Sequence, residues 1–322
     1  MTTPSNKTIK DLFNNANSVL LASHIRPDGD ALGSLLGLGN ALIEAGKKVF
    51  MASLDGVPSN FHYLHGAHLV KKSVPNDQIF DMTISLDISD MERSGGIFGD
   101  REITLNIDHH ITNPLFAKYN LNDPDSVATC ALIAENLENW GLSISAETAS
   151  LLMTGIITDT LGFRTSNMSS KAMRIAADLM DKGANLPEIY QQTLTDKNFD
   201  QLVYWGFALK KLQRKGRLAW TALSLADRKE AGYNGNDDAD LNSILSTITD
   251  HDVTILFVEQ KNGHIKVSWR AKSGFDISSL AISLGGGGHP AASGADIEGS
   301  LENVQATVIE KTLEFMEENK ND

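Results

Sequence analysis

The chain has 322 residues, enough for two hydrophobic cores. Lys and Arg number 28 against 41 Asp and Glu, and the formal charge of -13 excludes a broad basic face that coats duplex DNA or an anionic membrane. A single cysteine excludes an intrachain disulfide and a thiolate metal site.

Residues 1–17 are polar and lack the charged start and long apolar run of a secretory signal. No apolar run reaches membrane-spanning length, so the expectation is a cytoplasmic protein with no membrane partner. Strand-type apolar runs cover 19–22, 49–54, 82–86 and 103–107. Helical spacing covers 30–46, where Gly46 supplies the stop, so 19–54 reads as strand, crossover helix and parallel strand. Further helices are predicted at 126–140, 146–158, 170–182 and 189–212, with Cys130 as a small buried hydrophobe. After Gly216 come strands at 218–223, 253–259 and 265–270, the last two joined by an Asn262-Gly263 turn. A glycine run at 285–288 and a closing helix from 301 to 318 complete the chain. The fold class is therefore α/β. An N-terminal parallel-sheet domain flanked by helices (1–190) is joined by a helical linker (191–215) to a smaller α/β domain (216–322).

Metal-type side chains gather in four blocks. In His24-Ile25-Arg26-Pro27-Asp28-Gly29-Asp30, the turn at Pro27 and Gly29 lets His24, Asp28 and Asp30 start from one loop. Either aspartate also suits the N-cap of the following helix. Asp87 ends a strand, where a carboxylate can bridge two ions about 3.5–4 Å apart or close a turn through an Asx hydrogen bond. In Asp108-His109-His110, adjacent histidines after a strand cannot both face a core without separate partners; one suits a metal and the other a substrate. Asp159 closes a helical run, where the dipole opposes negative charge and favours a cation partner. Parallel strands that end together bring such loops to one rim. Carboxylates and imidazoles there suit manganese or magnesium.

These blocks, followed by Thr158-Asp159-Thr160 and Gly285-Gly286-Gly287-Gly288-His289, stand in the order of the DHH phosphoesterase superfamily. Over essentially its whole length the chain resembles the NrnA-type, RecJ-like branch of that family. The resemblance implies a DHH catalytic domain, a helical linker and a DHH-associated substrate domain over the three ranges above. It implies two divalent ions, manganese foremost and magnesium second. His24, Asp28 and Asp87 would hold one, and Asp30, Asp87, His109 and Asp159 the other. His110 would face the scissile phosphate, and Asp108 would orient a histidine. In the second domain Arg270, Lys272, Ser273, Gly286, Gly287, Gly288 and His289 would bind a phosphate that is not cleaved, although Ala271 stands where the family's serine is expected.

The implied activity is hydrolysis of short single-stranded oligonucleotides to mononucleotides, and of adenosine 3′,5′-bisphosphate to AMP, by a homodimer. Linear dinucleotides derived from cyclic ones are an alternative substrate. A pyrophosphate or polyphosphate hydrolase is the second alternative, disfavoured because that branch ends in a lysine- and arginine-rich segment rather than a glycine loop. A non-catalytic nucleotide sensor is disfavoured because no ligand position is substituted.

Overall fold

The computed structural model describes residues 3–272 and 274–319 and divides into two units, Met1–Asp196 and Lys197–Asp322. In the first unit, helix α1 (Asn6–Asn15) precedes β1 (Ser18–Ser23), α2 (Gly29–Glu44) and β2 (Lys48–Ala52). Strands β3 (Met82–Leu86), β4 (Leu105–Asp108) and β5 (Tyr119–Asn122) follow, then α3 (Thr129–Asn136), α4 (Ala146–Asp159), α5 (Ser170–Asp181) and α6 (Leu186–Tyr190). The strands form one parallel sheet in the order β2-β1-β3-β4-β5.

Alternate residues of β1 supply two cores, as the period of a strand requires. Val19 and Leu21 join the helices, while Leu20 and Ala22 pack with Ala52, Ile88, Phe98 and Ile103 on the other face. That second face is covered by the long segments between strands rather than by helices. Both faces are buried, which is why the central strands read as continuous apolar runs. On the helical face α2 and α4 meet backbone to backbone. A methyl group on Gly33 would lie 2.6 Å from the Leu151 carbonyl, and one on Gly155 would lie 2.7 Å from Asp30 Oδ1. Only glycine permits this approach. It brings the start of α2 beside the end of α4.

Three departures from the sequence expectation have local causes. Helix α1 forms in a segment read only as polar, because Ile9, Leu12 and Phe13 share one helical stripe and Phe13 packs edge-on against Trp140. Strand β5 is short and mostly polar, so it carries no apolar run to detect. The single helix expected over 189–212 is interrupted: α6 runs into a π-helical turn at Gln191–Thr195, and Asp196 then turns extended. The chain re-enters helix only at α7 (Phe199–Lys210), after the extended N-cap Asn198.

Helix α7 belongs to the second unit, with β6 (Gln213–Lys215), β7 (Leu218–Leu223), α8 (Leu225–Ala231), α9 (Leu241–Leu245) and β8 (Val253–Glu259). Then come β9 (His264–Ala271), α10 (Ser278–Ser283), β10 (Gly287–His289), β11 (Ala292–Glu298) and α11 (Leu301–Glu318). The sheet order is β10-β11-β9-β8-β7-β6, antiparallel except for the β7–β8 pair. Helix α11 covers one face with Val304, Val308 and Met316, and Trp269 donates its indole N–H to Thr312 Oγ1 at 3.1 Å. Tyr204 and Ala208 of α7 cover Leu223, Leu256 and Val258 on the other face. Among the described residues no helix is long and apolar enough to cross a membrane.

Candidate metal centre

Register puts the candidate ligands in a row. Ser23 pairs with Leu86 and Leu86 with Ile107, so the residues one step beyond, His24, Asp87 and Asp108, leave three adjacent strands side by side. Asp87 turns there with φ of 59°, a left-handed conformation that aspartate tolerates better than most residues. Asp28 fulfils the capping expectation: its Oδ1 accepts from the amides of Asp30 and Ala31 at 3.1 and 3.0 Å. Its other oxygen, Oδ2, stays 3.9 Å from His24 Nε2, so cap and cluster membership coexist. Asp30 opens α2 and Asp159 closes α4, and the glycine contact of those helices joins them at the same rim.

Around this row the donor atoms form three overlapping triads, each within 4.8 Å: His24, Asp28 and Asp87; Asp30, His109 and Asp159; and Asp87, His109 and His110. Asp87 faces three imidazoles, one of them His110, whose Nδ1 lies 3.8 Å from Asp87 Oδ1. Asp87 Oδ2 lies 3.5 Å from His24 Nε2 and Oδ1 3.7 Å from His109 Nε2. The same His109 nitrogen lies 3.8 Å from Asp30 and 3.5 Å from Asp159. Both histidines rest Nδ1 against a backbone carbonyl, His24 on Ile25 at 2.8 Å and His109 on Ser126 at 3.3 Å. At His109 that contact favours the Nδ1–H tautomer, with Nε2 aimed at the carboxylates. His110 differs. Its Nδ1 bonds Asp108 Oδ1 at 2.7 Å, and Asn113 donates to Asp108 Oδ2 at 2.6 Å.

Electrostatics separate the two groups. Burial, with the charges of Asp30 and Asp28 added, drives the Asp87 carboxyl well above the usual carboxylate range. Burial likewise raises Asp30. For Asp159, burial followed by repulsion from Asp30 and Asp28 lifts the value from 3.8 to about 8. Burial also opposes ionisation of Asp108, but hydrogen bonds from His110 and Asn113 outweigh it and hold Asp108 below its ordinary value. The hydrogen bond to Asp108 raises His110. Crowded carboxylates that resist ionisation, faced by imidazole nitrogens and no thiolate, fit a site for hard or borderline divalent cations.

A raised carboxyl favours the protonated native state. Its stabilisation is complete below the unfolded value near 4 and is lost as pH rises through about 8. Chelator-treated protein should therefore show a Tm that falls between pH 5 and 8, with the fall reversed by added manganese. Scanning calorimetry of Asp159→Asn should give a shallower fall. An unchanged profile in that variant would reject the repulsion assigned to Asp159.

In the second unit the register runs Arg270 to Ala292 to His289 across β9, β11 and β10, placing Arg270 and His289 on one face with one strand between them. The Arg270 guanidinium donates to the Trp269 carbonyl at 2.8 Å. Lys272 turns the other way: its ammonium donates to the Thr249 carbonyl at 2.7 Å, on the β8 side of β9. Ser273 lies outside the described residues. The glycine run, read as a loop, is partly the edge strand β10. Cβ atoms on Gly286 and Gly288 would meet the carbonyls of Gly294 and Ala292 at 2.1 and 2.6 Å, so these two glycines let β11 approach. Gly287 opens onto free space. A groove of about 620 Å³ lined by Lys261, Lys266 and Asp296 reaches Gly286 but neither Arg270 nor His289.

Three residues not singled out in the sequence also stand at the cluster. The guanidinium of Arg93 lies 3.2 Å from His24 Nδ1. Asn113 ties Asp108 to the Ile88 carbonyl. Thr129 touches both Asp30 and Asp87. None carries a local signal: each sits in a loop or helix start and acquires its place only through contacts distant in the chain.

Fold and cluster together define an α/β protein with a group of carboxylates and imidazoles that could hold metal ions at the carboxyl edge of its parallel sheet. Residues 18–156 match the DHH family N-terminal domain, and residues 196–318 match the DHHA1 domain. The bifunctional oligoribonuclease and PAP phosphatase NrnA of Thermus thermophilus is 30% identical over 303 residues, spanning 92% of this chain and 89% of that protein. An exopolyphosphatase-related protein from Bacteroides fragilis has the same fold, with a TM-score of 0.87 at 24% identity, covering 97% of this chain and 96% of that one. Exonuclease RecJ bound to manganese aligns with a TM-score of 0.50 at 13% identity, over 100% of this chain and 96% of that one. The chain belongs to the DHH family of phosphoesterases.

Proposed function

We propose that this protein is a metal-dependent phosphoesterase that hydrolyses short oligonucleotides to mononucleotides and adenosine 3′,5′-bisphosphate to AMP. The observation that carries the reading is Asp87 between two imidazoles, at 3.5 and 3.7 Å, beside a third imidazole already paired with a carboxylate. The substrate class rests on the 30% identity to the Thermus thermophilus protein. His24, Asp28, Asp30, Asp87, His109 and Asp159 would hold the cations, with manganese the first choice and magnesium the second. When bound, a pair of such ions lowers the pKa of water and neutralises phosphoryl charge.

His110 supplies the proton chemistry. Water adds to phosphorus as the ester P–O bond breaks, and the departing oxygen needs a proton. Asp108 holds the imidazole by Nδ1 and favours the imidazolium, so Nε2 can give that proton or stabilise the phosphate charge. In this reading the first unit is catalytic, and Arg270, His289 and the glycine strand bind a phosphate that is not cleaved. A cytoplasmic location and a homodimer belong to the same reading; cell fractionation and light scattering test them.

The deciding experiment is a turnover panel of a 5′-phosphorylated dinucleotide, a linear dinucleotide, adenosine 3′,5′-bisphosphate and pyrophosphate. Each is run metal-free and then with manganese, magnesium or zinc. Faster phosphate release from pyrophosphate than from the nucleotides would overturn the proposal. Arg270→Ala should weaken kcat/KM for the 5′-phosphorylated dinucleotide by about 1.5–3 kcal/mol, the range for hydrogen bonds to a charged group. Bis-p-nitrophenyl phosphate, which has no second phosphate, should be much less affected. Equal losses on both would mean that Arg270 serves the reaction centre or the fold.

A further inference from the structure

We infer that Thr129 is a positioning residue that orients Asp87 between the two candidate metal positions, an assignment that rests on the metal reading above. Helix α3 begins without a side-chain cap, because its N-cap is Ala128. The first amides of a helix need acceptors. Here they find Asp30, ninety-nine residues earlier in the chain: Thr129 N donates to Oδ2 at 2.7 Å and Cys130 N to Oδ1 at 2.9 Å. The backbone thus anchors one carboxylate of the cluster, and the Thr129 side chain is released from capping.

That side chain is fully buried, and its hydroxyl donates to Asp87 Oδ1 at 2.9 Å. A carboxylate turns freely about its terminal bond unless something holds its plane. With Oδ1 held, Oδ2 stays 3.5 Å from His24 Nε2 while Oδ1 remains 3.7 Å from His109 Nε2. One residue therefore fixes two carboxylates from separate triads, Asp30 by its amide and Asp87 by its hydroxyl. The donor type matters. A lysine or arginine would orient Asp87 equally well but would compete with the cation, whereas a neutral hydroxyl leaves the carboxylate's charge available.

Thr129→Val keeps the β-branched shape and the amide and removes only the hydroxyl. The test strips the full-length protein with chelator and titrates manganese calorimetrically, with the metal-free Tm as the control for folding. Thr129→Val should bind manganese about 10- to 100-fold more weakly, the usual effect of losing a ligand's hydrogen-bond partner. Thr129→Ser should titrate like the parent. Thr129→Ala removes the same hydroxyl without the extra methyl and decides the matter if valine is not accommodated. Parent-like titration of a folded hydroxyl-free variant would overturn the assignment, as would equal losses in the serine variant. A parent that binds manganese but cleaves no phosphoester would instead overturn the proposed function and leave the role of Thr129 standing.

Discussion

Asp87→Asn is expected to lower turnover by roughly 10³-fold or more, the scale on which a preorganised charge stabiliser acts, and to strip metal from both positions together. Asparagine keeps the size and the oxygen that accepts from Thr129, and it tolerates the left-handed backbone at φ 59° as aspartate does. The fold should therefore survive, and the loss should report the charge and the second ligand oxygen. Among the described residues no other carboxylate lies within 4.0 Å of both His24 and His109. Elemental analysis beside a manganese-dependent rate assay checks the outcome. Two equivalents of metal retained at near-parent rate would reject the bridging role.

His110→Ala should behave differently, losing about 10²- to 10⁴-fold in turnover, the range for a positioned acid or base, while keeping its metal. The reason is the bond from His110 Nδ1 to Asp108, which makes this imidazole a partner of a carboxylate rather than a free ligand. In the parent, the raised His110 imidazolium should sustain turnover above pH 6.5 and lose it as pH climbs through the raised value. The alanine variant should lack that limb. The rival reading is specific, since Asp87, His109 and His110 also form a triad. A collapse of metal content in the variant would favour it and would exchange the roles of the two histidines.

Much of the cluster was legible because parallel-sheet topology turns chain order into spatial order. A residue that directly follows an apolar run lies at the strand's carboxyl end, so chain order alone puts His24, Asp87 and Asp108 on one rim. Asp159 needed more. Its helix reaches the rim only because Gly33 and Gly155 let α2 and α4 touch, and no pattern within α4 announces that contact. The second unit was less legible for a related reason. The glycine run reads as an anion-binding loop, yet two of its glycines are required by the approach of β11, a strand that left no clear apolar run of its own.

By itself the sequence determined the α/β class, the candidate ligand types and their chain order, because burial periodicity and donor chemistry are properties of residues. Tertiary structure alone decided how those groups divide the work. Asp108 and Asp87 are both strand-end aspartates, indistinguishable by local pattern. One ionises readily because His110 and Asn113 hydrogen-bond to it, and the other resists because it is buried among like charges. The same holds for Thr129, an ordinary helix-start threonine until Asp30 takes over the capping of its helix. The physical reason is common to both: charge state and orientation depend on dielectric surroundings and on hydrogen-bond partners tens of residues away, which only the folded chain brings together.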